Sequence, residues 1–185
     1  MELFLIRHPR PDVAEGTCYG RSDIGIAGDA EGDAARLARL LPRGTAVYTS
    51  PLRRCRSLAE RLSPAPAVDA RLIEMDFGEW EMRRWDDIER PVFDAWVADI
   101  LNFAPPGGEP ASALLARSLD FIGELRAGGA PAAALVTHGG VLRMLFTHWL
   151  GMPPARMPRL VFEFGAASKV VLDGGELRVE YLNRR

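Results

Sequence analysis

Ala132-Ala133-Ala134-Leu135-Val136-Thr137-His138-Gly139-Gly140 is a short apolar run that ends in a histidine and two glycines. A continuous run of this length suits a strand covered on both faces of a parallel sheet. The chain begins in the same way, with Leu3-Phe4-Leu5-Ile6 leading into Arg7-His8. In α/β proteins ligands occupy the crevice beyond the carboxyl ends of parallel strands, so two such strands can aim both imidazoles into one site.

Working outward from these strands, the pattern alternates. Glu2 to Ile6 is predicted as the first strand. Asp33 to Leu41 follows as a helix through Ala34, Leu37, Ala38 and Leu41, stopped by Pro42 and Gly44. Thr45 to Thr49 reads as a strand. Ser50 then reads as a helix N-cap with Pro51 at the first helical position, and Cys55, Leu58, Ala59 and Leu62 form the packed stripe. Val68 to Ile73 is predicted to return as a strand. Glu81 to Ile100 is less regular, a short helical excursion closed by Ala104-Pro105-Pro106-Gly107-Gly108. Helices are predicted at Leu114 to Arg126 and at Gly140 to Leu150, on either side of the Ala132 to Val136 strand. Strands at Leu160 to Phe164, Lys169 to Leu172 and Glu176 to Leu182 complete the chain, the last two joined through an Asp173-Gly174-Gly175 hairpin turn. The alternation implies a three-layer α/β/α sandwich on a mainly parallel sheet with an antiparallel edge. One domain spanning 1–185 is expected, with a small cap-like insertion around 81–112.

The 185 residues carry a net charge of -2, which implies no general attraction to nucleic acid or anionic membrane. Lys169 is the only lysine against 22 arginines, a bias that suits phosphate recognition but also follows from genome composition. Cys18 and Cys55 are too few for a disulfide framework and lack metal-site spacing. No run approaches a membrane span, and the N-terminal apolar stretch is interrupted too soon for a signal peptide. A cytoplasmic protein is expected.

The chemistry gathers at strand ends. Arg7 and His8 end the first strand, Arg54 lies in the first turn of the helix after the second, Glu74 follows the third, and His138 ends a later one. Two guanidinium groups, two imidazoles and the N-terminus of the helix after Gly139 make a cradle for a dianionic phosphoryl group. The histidines lack His-x-x-x-His spacing and no carboxylate cluster marks a magnesium site, so phosphoryl transfer without metal or other cofactor is expected.

Arg7-His8, Ser50-Pro51-Leu52-Arg53-Arg54, Glu74-Met75-Asp76-Phe77-Gly78-Glu79-Trp80-Glu81 and Thr137-His138-Gly139-Gly140 resemble, in order, the motifs of the histidine phosphatase superfamily, also called phosphoglycerate mutase-like. Within it, Cys18-Tyr19-Gly20-Arg21-Ser22-Asp23 and Pro105-Pro106-Gly107-Gly108-Glu109 resemble bacterial alpha-ribazole phosphatases of cobalamin synthesis. The resemblance implies a small phosphate monoester as substrate and His8 as the nucleophile, forming a phosphohistidine that water hydrolyses. It implies that Arg7, Arg54 and a protonated His138 hold the non-bridging oxygens. It places the proton donor at Glu74, with Asp76 and Glu81 as competitors. An ordinary glutamic acid is ionised at neutrality, so a donor here needs burial or a neighbouring anion to keep its proton.

Two departures stand out. The family usually reads Arg-His-Gly with Thr two residues on, whereas this chain has Arg7-His8-Pro9-Arg10-Pro11, and Ala14 stands where Asn is common. The prolines remove two backbone donors and push His8 toward an extended conformation. Arg10 is a candidate to compensate, and Glu109 a candidate ribose contact. Trp80, Trp85 and Trp96 are candidates either for the core or for stacking on an aromatic alcohol half. His148 and Cys55 read as structural, and Cys18 as a loop residue near the pocket. Three functions follow: a small-molecule phosphomonoesterase first, a phosphoglycerate mutase second, and a non-catalytic phosphate-binding module third. Oligomeric state has no signature in the sequence.

Overall fold

The computed structural model describes all residues from 1 to 185. Its elements run β1 (Glu2–Arg7), α1 (Ala30–Leu37), β2 (Ala46–Thr49), α2 (Arg53–Leu62), β3 (Ala67–Val68), α3 (Arg90–Ala98), α4 (Ala111–Ala127), β4 (Ala132–Thr137), α5 (Gly139–Trp149), β5 (Ala167–Asp173) and β6 (Glu176–Arg184). The six strands form one sheet in the order β3-β2-β4-β1-β5-β6. β3, β2, β4 and β1 are parallel, and β5 and β6 add the antiparallel edge.

The period-two alternation of a strand splits each central strand between two cores. Leu3, Leu5, Ala133 and Leu135 pack on one face with Phe121 and Ile122 of α4 and Val141 and Leu145 of α5. Phe4, Ile6, Ala134 and Val136 pack on the other with Leu37 of α1 and Cys55 and Leu58 of α2. Both faces are therefore dry, which is why β1 and β4 are apolar without interruption.

Several elements differ from their sequence reading. α1 starts at Ala30, because Asp29 caps it by accepting from Gly32 N–H at 2.9 Å. The strand predicted at Val68 to Ile73 stops at Val68. Asp69 accepts from Arg71 N–H at 2.8 Å and turns residues Ala70–Leu72 into a single 3-10 turn. No strand forms at Leu160 to Phe164 either. There, side chains replace a ladder: Arg143 Nε, Asn183 Nδ2 and Arg7 Nη1 donate to the carbonyls of Leu160, Val161 and Phe162. α2 begins at Arg53, so Ser50 does not cap it.

Residues 78–98 form two 3-10 turns and α3 beyond the carboxyl ends of the strands. They carry a small core of their own, in which Cys18, Trp80 and Ile88 are buried against Phe77, Trp85, Phe93 and Trp96. No helix is long and apolar enough to cross a membrane.

Candidate active site

The parallel pairing of β1 with β4 sets Arg7 opposite Thr137, so each strand delivers its histidine one residue later at the same level. The two rings lie 5.2 Å apart between centroids. His8 is buried, and its Nδ1 lies 2.7 Å from the carbonyl of Pro9. A carbonyl only accepts, so Nδ1 carries the proton and Nε2 presents a lone pair. That Nε2 is buried and has no partner in the protein. Burial first, then the charges of Arg54 and Arg7, hold the His8 pKa well below 6.5. His8 is thus a neutral imidazole with a free nucleophilic nitrogen.

His138 is held on both sides. Arg54 Nε donates to its Nδ1 at 3.2 Å, and its Nε2 lies 2.7 Å from Ser50 Oγ. Nδ1 accepts, so the proton sits on Nε2. The protonated His138 expected from the sequence is a neutral one here, because burial, Arg54 and His8 all disfavour a second cation. Ser50, read as a helix cap, instead orients this imidazole.

Arg54 is fully buried in the first turn of α2. Its Nη1 and Nη2 donate to the carbonyls of Ser22 and Gly20 at 2.7 and 2.6 Å. The loop offering those carbonyls is stapled by Glu81, whose carboxylate accepts from the N–H groups of Arg21 and Ser22, each at 2.7 Å. Arg7 donates through Nη1 to Phe162 O at 2.6 Å and lies over the Phe164 ring at 3.6 Å. Its Nε is buried and unpartnered. Two adjacent side chains therefore leave one acceptor and one donor unsatisfied: an oxyanion completes the Arg7 donor, and the electrophilic phosphorus of a phosphoryl group suits the His8 lone pair.

Glu74 reaches this point from the segment after β3. It is 8% exposed, and its carboxylate accepts from Gly140 N–H and Met75 N–H, both at 2.9 Å. A Cβ at Gly140 would lie 2.2 Å from Glu74 Oε1, so only glycine leaves room for the carboxylate against the start of α5.

A cavity of about 480 Å³ opens above, with Arg7, Glu74, Gly139 and Gly140 at its polar end. Tyr19, Phe77, Trp85, Phe93 and Trp96 supply aromatic wall, and Cys18 also faces it. Trp85 and Trp96 are stacked at 17° with centroids 5.9 Å apart. Trp80 is buried in the small core and not on the wall.

The structure brings His8, Arg7, Arg54, Glu74, His138 and Gly139 together and leaves two candidates elsewhere. Arg10 is exposed and away from the cavity. Glu109 lies behind Glu74, its carboxylate between Arg21 and Arg117. Asp76 is paired with Arg21, and neither it nor Glu81 lines the cavity. His148 is exposed, and Cys55 is buried with Sγ 3.4 Å from His138 Nε2. Arg143 escaped the sequence reading. It lines the cavity one turn into α5, and only its Nε is engaged, donating to Leu160 O at 3.0 Å. Its spacing of four from Gly139, on the same helix face, was the available signal.

A buried lone pair on His8, guanidinium groups beside it and a carboxyl group on the cavity wall form a constellation suited to in-line transfer of a phosphoryl group to nitrogen. The sequence profile of the histidine phosphatase superfamily (branch 1) matches residues 3–185. The chain belongs to the histidine phosphatase superfamily. Like the family's named phosphatases it is a phosphoric monoester hydrolase. The adenosylcobalamin/alpha-ribazole phosphatase of Salmonella typhimurium strain LT2 is 30% identical over 196 residues, covering 100% of this histidine phosphatase and 97% of its relative. A Klebsiella pneumoniae protein named "Probable phosphoglycerate mutase GpmB" is 32% identical over 185 residues, covering 92% and 84%. The alpha-ribazole phosphatase of Shigella flexneri superposes with a TM-score of 0.84 at 27% identity, over 99% of this chain and 96% of that one.

Proposed function

We propose that this histidine phosphatase hydrolyses a small phosphate monoester through a phosphohistidine at His8, with alpha-ribazole 5'-phosphate as its substrate. The observation that carries the mechanism is the unpartnered, buried Nε2 of a neutral His8. Its lone pair forms the N–P bond as the P–O ester bond breaks, and the electron pair leaves on the ester oxygen. Glu74 donates the proton that this oxygen needs. Water then attacks phosphorus, Glu74 takes the water proton, and His8 is released neutral with its proton still on Nδ1. Arg7, Arg54, His138 and the N–H groups at the start of α5 hold the equatorial oxygens, whose charge is constant in sign throughout and best stabilised by fixed donors. His138 is neutral before substrate arrives, and the negative field of a bound dianion favours its uptake of a proton from solvent.

The aromatic wall supports the substrate. An apolar cavity faced by Trp85, Trp96 and Phe93 suits a flat, uncharged ring better than a sugar or a carboxylate. Residues 81–112 then serve as a cap that selects the alcohol half. Arg143 favours the second reading: a guanidinium facing the cavity with both Nη groups free suits a second anionic group, as on a phosphoglycerate.

Phosphate release from alpha-ribazole 5'-phosphate, phosphoglycerates, sugar phosphates and nucleotides, in EDTA, separates these. A preference for alpha-ribazole 5'-phosphate that vanishes in His8→Ala is expected. Interconversion of 3- and 2-phosphoglycerate would establish the mutase instead, and full activity in His8→Ala would remove the phosphohistidine.

A further inference from the structure

Glu74 sits on a stretch of chain that has no sheet to hold it. β3 ends at Val68, and the carbonyls of Arg71, Ile73 and Glu74 face no neighbouring strand. Arg117, on α4, supplies the missing donors: Nη1 to Arg71 O at 2.7 Å and to Ile73 O at 2.6 Å, and Nη2 to Glu74 O at 3.0 Å. Arg21 Nε adds a second donor to Glu74 O at 3.3 Å. One oxygen, Glu109 Oε1, locks both guanidinium groups in place, at 2.9 Å from Arg21 Nη2 and 3.0 Å from Arg117 Nη2. It also accepts from Asp76 N–H at 3.1 Å. The main chain of residue 74 is thereby gripped from behind, while Gly140 and Met75 hold its carboxylate in front.

Stability alone does not account for this cluster. Ion pairs in partial contact with solvent, as these are, contribute little to stability, and here Arg117 Nε is left buried without a partner. What the cluster delivers is position. Arg21 also belongs to the loop whose Gly20 and Ser22 carbonyls hold Arg54, so the proton donor and the phosphate-holding arginine share one frame.

We infer that Glu109, acting through Arg21 and Arg117, is a positioning residue that sets where Glu74 delivers its proton, an inference resting on Glu74 as the acid. A displacement of about 1 Å in such a group costs up to a hundredfold in rate, and in forming the phosphohistidine it costs only those esters whose leaving group needs the proton.

The test compares kcat/KM, which reports formation of the phosphohistidine and not its shared hydrolysis, on p-nitrophenyl phosphate, whose phenolate leaves unprotonated, with kcat/KM on β-glycerophosphate, whose alkoxide must be protonated. Glu109→Ala is expected to lose about tenfold on the alkyl ester and under about twofold on the aryl ester, and Glu109→Gln, which keeps an oxygen for both arginines, to recover most of that loss. Equal losses on both esters, or no loss on either, would overturn the inference. If Glu109→Ala is unfolded by circular dichroism, the same ratio is read in Arg21→Lys and Arg117→Lys, and an unchanged ratio in both overturns it. Glu74→Gln in parallel should lose on the order of a hundredfold on the alkyl ester alone. Equal loss on both esters there removes the acid role of Glu74 itself. A selective Glu74→Gln beside a non-selective Glu109→Ala removes only the positioning role.

Discussion

In the buried floor beneath the cavity lining Arg54 donates to Gly20 O, Ser22 O and His138, whereas on the cavity wall Trp85 and Trp96 meet mainly other rings, Phe77 and Phe93 among them. The floor is rigid because its polar side chains have fixed partners, save the His8 Nε2 and Arg7 Nε atoms left for a ligand, and burial makes a wrong placement costly. The wall works by area and ring shape, which tolerate change without loss of charge balance. On the proposed function the lesson is a division of labour, with chemistry assigned to the floor and selection of the alcohol half to the wall.

The largest expected effect strikes the floor. His8→Ala should lower turnover by on the order of 10⁴ or more on every ester alike, and rapid quench should find no acid-labile phosphoenzyme. A loss confined to aromatic esters would erase the distinction between floor and wall. Next, Gly140→Ala should drive a methyl group into Glu74 Oε1 and cost on the order of a hundredfold on alkyl esters while sparing p-nitrophenyl phosphate, as read from paired kcat/KM values. On the wall, Trp96→Ala should raise KM for an aromatic alcohol half by about three- to tenfold and leave kcat on β-glycerophosphate unchanged. A matching fall in both would place Trp96 with the chemistry.

The smallest effect is on stability. His8 and His138 are held well below 6.5 when folded and take up protons near 6.5 when unfolded. The unfolded state therefore binds more protons below that pH, and stability falls as pH drops from 7 to 5, by up to about 1.4 kcal/mol per pH unit for each histidine. Thermal unfolding midpoints should show this fall, reduced in His8→Gln and untouched in Trp96→Ala. A slope unaltered by His8→Gln would mean that the floor does not hold its imidazole neutral.

Much of the floor was legible because it is written locally. Leu3 to His8 and Ala132 to His138 each carry a strand and its functional end in one short run, and parallel pairing brings the two ends level whatever the loops do. Glu74 was legible only through its motif, since the strand expected to carry it dissolves after Val68 into a turn that Asp69 initiates. Ser50 looked like a cap because Pro51 follows it, yet its hydroxyl turns to His138. Leu160 to Phe164 looked like a strand from its apolar residues, and side chains of Arg7, Arg143 and Asn183 took its carbonyls first.

The sequence by itself determined the layer order, the dry central strands and the residues at their ends, because period-two apolar patterns and strand-end chemistry depend on neighbours along the chain. Only the tertiary structure decided the protonation of His138, the grip of Arg21, Glu109 and Arg117 on Glu74, and the aromatic wall. Each of these rests on burial or on contacts between distant residues, such as Arg21 with Glu109, 88 positions apart, and no local pattern encodes which buried donor will meet which carbonyl.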